Sequence, residues 1–123
     1  MGRPKAAENC KIKPWLSANH PPSDKRFIQI GNSLLLSKNY QALHDSSRTL
    51  YECLAMESGG SKFVKLSRNN AEKKYGIKQA TYTRGKNELI EKGFIRIKEN
   101  TGRYETNCFE FIDDWKNKNP VSD

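Results

Sequence analysis

The sequence predicts an α+β fold, a three-helix core carrying a small antiparallel β-sheet. Three observations predict it. Apolar residues recur at helical spacing over 45–57 and 79–92. Short alternating or β-rich runs at 62–66 (KFVKL), 94–98 (FIRIK) and 108–112 (CFEFI) have strand character. Glycines stand where the helices must stop, at Gly59, Gly76 and Gly93. A chain of 123 residues suits one domain with tails. The expected division is a flexible basic arm over 1–25, a folded unit over 26–115 and a C-terminal tail over 116–123.

The arm carries Pro4, Pro14, Pro21 and Pro22 among charges and small residues, with little apolar periodicity. Trp15 is expected to dock on the domain or a second copy, because a solvated indole gains nothing. Residues 26–30 (RFIQI) read as a short β-leaning segment ended by Gly31-Asn32. An apolar turn over 33–36 follows. Ser37 is then placed to cap a brief helix, KNYQAL, with Tyr40 and Leu43 on one face.

Asp45 or Ser46 is expected to cap the next helix, whose stripe is Leu50, Tyr51, Leu54 and Ala55. Cys53 beside it reads as a small buried hydrophobe. After the strand at 62–66, Ser67 caps a helix over 68–75 that turns Ala71 and Tyr75 inward. Gly76 takes the left-handed turn and Ile77 re-enters the core. The helix over 79–92 buries Tyr82, Leu89 and Ile90. Gly85 on the same face costs roughly 1 kcal/mol of helix propensity, which close approach of a neighbouring helix explains. Gly93 ends this helix. The strands at 94–98 and 108–112 make a hairpin around Asn100-Thr101-Gly102. Trp115 is expected to fray or dock on the arm.

The formal net charge of +8 is unevenly placed. Residues 59–112 hold twelve Lys/Arg against six acids, and residues 1–26 hold six against two. Such local excess suits a polyanion. The plainer alternative is solubilising lysine on solvated faces. Cys10, Cys53 and Cys108 are odd in number and scattered, which argues for a reducing compartment. His20 and His44 lack metal-ligand spacing, so no metal or other cofactor is expected. No apolar run exceeds the four residues of 53–56, too short to span a membrane, and the N-terminus has no signal-peptide core. A soluble cytoplasmic protein is the expectation. No paired carboxylates, Ser-His-Asp set, Cys-His pair or phosphate loop can be assembled, so an enzyme and a small-molecule substrate are not expected.

The order helix, strand, helix, tight turn, helix, strand, turn, strand over about 45–112 resembles the winged-helix family of helix-turn-helix DNA-binding domains. The residues that carry the resemblance are Leu66-Ser67, Ala71, Tyr75-Gly76-Ile77, Thr81, Arg84 and the run ELIEKGFI over 88–95. The segment from Phe27 is similar, more loosely, to the replication-initiator or replisome-organiser proteins of phages and plasmids. The resemblance implies that the helix over 79–92 enters the DNA major groove and that the hairpin wing lies along the backbone or minor groove. Two residues depart from the family pattern. Lys78 stands where a Ser or Thr cap is common, and Lys86 stands where an apolar residue is usual.

With Tyr82, Leu89 and Ile90 inward, the opposite face offers Gln79, Ala80, Thr83, Arg84 and Asn87 to read bases. Arg pairs with guanine, Gln and Asn with adenine, and Ala touches a thymine methyl. Arg68, Lys73, Lys74, Lys78, Thr81, Lys86, Arg96, Lys98 and Arg103 are candidates for the DNA backbone. Acids are absent between Lys73 and Asn87. Gly2-Arg3-Pro4-Lys5 resembles the core of an AT-hook, which would place Arg3 and Lys5 in a minor groove, although Met1 stands where that motif has an Arg. The expected function is sequence-specific binding of double-stranded DNA, in replication initiation or transcriptional regulation, on a bacterial mobile element such as a plasmid or phage. A winged-helix adaptor between proteins, without DNA binding, is the alternative. Trp15, Trp115 and the short N-terminal helix are the material for a homodimer.

Overall fold

A computed structural model of the chain describes residues 12–21, 24, 26–99 and 108–117. Among the described residues the fold is α+β, with five α-helices and one three-stranded antiparallel sheet. The helices are α1 (Asn32–Leu36), α2 (Lys38–Gln41), α3 (Asp45–Ser58), α4 (Arg68–Tyr75) and α5 (Gln79–Glu91). The strands are β1 (Phe63–Lys65), β2 (Ile95–Glu99) and β3 (Cys108–Phe111). Single 3-10 turns occur at Pro14–Leu16 and Asp114–Asn117. The sheet order is β1-β3-β2, so the last strand lies in the middle.

Local chemistry sets most element ends. Ser37 Oγ accepts the Tyr40 N–H at 3.1 Å, and Ser67 Oγ accepts the Asn70 N–H at 3.1 Å. Gly59 and Gly76 leave α3 and α4 with φ of 62° and 72°. At the end of α5 the Gly93 N–H bonds the Ile90 carbonyl and the Phe94 N–H bonds the Leu89 carbonyl. This is a Schellman closure, and Leu89 and Phe94 are both fully buried beside it.

The core joins Tyr40, Leu43, Leu50, Leu54, Val64, Leu66, Ala71, Ile77, Tyr82, Leu89, Phe94, Ile95 and Phe109. The closest helix pair is α3 with α5. A Cβ at Gly85 would stand 3.1 Å from the Ser46 carbonyl oxygen and 3.3 Å from Ser47 Cα, which is the close approach the glycine implied. An aromatic cluster covers the lower edge. Tyr51 meets Tyr40, Phe94 and Phe111 edge to face at 5.9, 5.7 and 5.6 Å.

Four expectations need correction. Residues 26–30 form no strand; Arg26 instead donates to the Met56 and Glu57 carbonyls at the end of α3. Neither Asp45 nor Ser46 caps α3, because the N-cap position is His44 and the helix already begins at Asp45. Of its two expected docking places, Trp15 does not take the described part of the domain, and it is 77% exposed. Trp115 does dock, on Phe94 rather than on the arm, with stacked rings 5.2 Å apart and nearly parallel. Along β2, Ile95 is fully buried and Ile97 is 44% exposed. The Asn100-Thr101-Gly102 turn and Cys10 lie outside the described residues.

Candidate nucleic-acid interface

The candidate interface is built on α5. Its rotation is fixed from the inside. Tyr82 is buried and donates from its hydroxyl to the Leu66 carbonyl at 2.6 Å. Gly85 lies against α3, and Leu89 is fully buried. Ile90 is half-buried and packs at the core edge.

Glu88 adds a further anchor, one turn on from Gly85. Its Oε1 accepts the backbone N–H of His44 at 3.1 Å and the Ser47 hydroxyl, while Oε2 meets His44 Nδ1 at 3.0 Å. A carboxylate on α5 thereby accepts the N-cap N–H of α3, the contact that a capping-box Glu makes from within its own helix. Burial pushes the Glu88 carboxyl up, but the hydrogen bonds from Ser47 and His44 outweigh it and hold the group below its ordinary value.

This rotation presents Ala80, Arg84 and Asn87 to solvent, with Thr81, Thr83 and Lys86 half-buried at the flanks. Lys86 has the placement expected of a side chain whose stem packs while its ammonium reaches water. Arg84 makes no hydrogen bond or ion pair among the described residues. Lys78 is the exposed N-cap of α5, and its side chain makes no cap bond. The first-turn N–H groups of α5 therefore receive nothing from Lys78 and can meet a phosphate.

The remaining sequence-derived residues divide. Arg68 and Lys73 are exposed on α4 without an ion pair among the described residues. Lys74 binds Glu57 at 2.8 Å and lies over the Tyr75 ring, so its ammonium is engaged on the α3 side. Gln79 donates to Asn69 Oδ1 at 2.8 Å and to Glu72 Oε1 at 3.0 Å, which ties its amide to α4. Arg96 binds Glu110 across the hairpin at 2.7 Å. Lys98 is exposed near the end of β2. Arg3, Lys5 and Arg103 lie outside the described residues.

Sequence reasoning missed Glu88, Asn69 and Glu110. The i, i+3 spacing of Glu88 from Gly85 was the available signal, since it puts the carboxylate on the face turned to α3. Asn69 and Glu110 depend on the α4–α5 angle and on strand register, for which the sequence holds no comparable signal.

A cavity of about 500 Å³ lies elsewhere, between residues 26–31, α3 and Phe111, and no residue of α4 or α5 lines it. Among the described residues no three His, Cys, Asp or Glu side chains are grouped so as to hold a metal ion. None of the described helices is long and apolar enough to cross a membrane. Comparison with protein-family models, with curated proteins and with solved structures returns no match to this chain.

Proposed function

We propose that the chain is a winged helix-turn-helix protein that binds double-stranded DNA in a sequence-specific manner, with α5 as its recognition helix. The observation that carries this reading is the outward face of α5. It is polar, rich in hydroxyl and amide groups, and free of acids up to Asn87. An ordinary solvated helix face carries interleaved Glu and Lys instead. The order β1-β3-β2 after α3, with α4 and α5 inserted between β1 and β2, supports the winged arrangement.

In this account Ala80, Thr83, Arg84 and Asn87 face the base edges. Arg84 is the strongest reader, because its fork is unpaired and matches the two acceptors of guanine. Gln79 joins them only by leaving Asn69 and Glu72. Lys78 and the first-turn N–H groups of α5, with Arg68, Lys73, Thr81 and Lys86, meet phosphates. In the wing, Lys98 carries the duplex phosphate contact, being exposed on β2 with no ion pair among the described residues, while Arg96 spends its Nε on Glu110. The reading extends to origin recognition or transcriptional control on a mobile element, the first of which draws on the looser resemblance of the segment from Phe27 to phage and plasmid initiators. Fluorescence anisotropy on duplex DNA against salt tests the proposal. Neutralising about five phosphates gives a slope of log K on log salt of roughly −4 to −5. Absence of duplex binding even at low salt would refute it.

A further inference from the structure

The sheet has two unlike faces. Val64, Ile95 and Phe109 are buried against the helices. The opposite face holds the cross-strand row Phe63, Glu110, Arg96, with Lys65 one step along β1. Phe63 is 42% exposed, and Lys65 and Arg96 are exposed. Phe63 therefore leaves a large part of its ring in water on this face of the sheet.

The charges around that ring are organised from below. Glu110 is only 5% exposed, yet it lies on this outer face. Its Oε1 accepts from Arg96 Nε at 2.7 Å and its Oε2 meets Lys62 Nζ at 3.1 Å. Hydrogen bonds from Arg96 and then Lys62 hold its carboxyl below the ordinary glutamate value. One covered carboxylate thus holds two cations in place, and Lys65 adds a third without an acidic partner among the described residues.

We infer that this outer sheet face is a second nucleic-acid surface, for single-stranded DNA, on which a base stacks against Phe63 while Lys65, and the N–H groups that Lys62 and Arg96 do not spend on Glu110, take the flanking phosphates. A positively charged track beside an exposed aromatic ring is the minimum such a surface requires. Duplex DNA does not fit this role, because its bases are stacked on each other and offer no free face to the ring. An acidic polypeptide would satisfy the cations but leave Phe63 without use. The inference is independent of α5, since none of these residues belongs to its outward face.

The test uses the full chain and a fluorescein-labelled oligo-dT strand at low salt, read by anisotropy. Binding is expected. Phe63→Leu should weaken it by roughly five- to a hundredfold, the loss of one stacked base, and Phe63→Trp should restore it. Duplex binding by Phe63→Leu should stay unchanged, with its thermal melt confirming the fold. Lys65→Ala should lower the salt slope by about 0.7. An abasic strand of the same length should bind more weakly than oligo-dT. Failure of the wild-type chain to bind oligo-dT would overturn the inference. So would equal binding by Phe63→Leu, equal binding of the abasic strand, or equal competition by polyglutamate.

Discussion

A methyl group at Gly85 would meet the Ser46 carbonyl oxygen and Ser47 Cα, both backbone atoms that cannot swing aside, and Leu50 Cδ2 at 3.3 Å. Gly85→Ala should therefore destabilise the protein by about 1–2 kcal/mol in a denaturant melt, although alanine is the better helix former by roughly 1 kcal/mol. A stabilised Gly85→Ala would mean that α3 and α5 can part at no cost. Two tyrosines should respond oppositely to loss of their hydroxyls. Tyr82 donates to the Leu66 carbonyl in the core, so Tyr82→Phe should cost about 1–2 kcal/mol. The buried Tyr40 hydroxyl has no hydrogen-bond partner among the described residues, and burial pushes its pKa up to about 12. Tyr40→Phe should be neutral or stabilising by up to about 1 kcal/mol. Equal losses for the two variants would show that the Tyr40 hydroxyl has found a partner.

At the scale of elements, residues legible in the sequence were those whose partners lie within one turn. Ser67, Gly76 and Gly93 each act through backbone groups at most six residues away, so their roles could be read directly. The cap of α3 could not, because Glu88 reaches it from more than forty residues along the chain. Residues 26–30 were misread for a related reason. β-Propensity describes fit to a pleated neighbour, and no strand pairs with them. The candidate site shows the same division. The inward face of α5 follows from its own period, whereas the engagement of Gln79, Lys74 and Arg96 depends on other elements.

Glu88 and Glu57 also join elements, and both have carboxyl groups held below the ordinary value of 4.5. For Glu57 the chief cause is the hydrogen bond from Lys74. A carboxyl whose pKa is lowered by folding binds its proton more tightly when unfolded. Its stabilisation is full above pH 4.5 and is lost as pH falls through the lowered folded value. Thermal stability should decline on acidification below about pH 4.5. In Glu88→Gln the decline should be shallower and start from a lower plateau. An unchanged acid limb in that variant would remove Glu88 from the account.

At the scale of the whole molecule, the proposed reading has α5 lie across the groove and the hairpin reach along the backbone. Base contacts and backbone contacts then separate by position, and their loss should separate in the same way. Lys98→Ala should weaken binding to all duplexes equally and reduce the salt slope by about one. Arg84→Ala should cost about 1–3 kcal/mol on the preferred site and much less on others. The most direct measurement is selection of bound sequences from a random duplex pool, run in parallel with the wild-type chain and Arg84→Ala. The account predicts an enriched site for the wild type, with preference lost at one guanine for the variant. A pool that emerges unenriched, or an Arg84→Ala chain that selects the same site with the same affinity, would contradict the claim that α5 reads DNA.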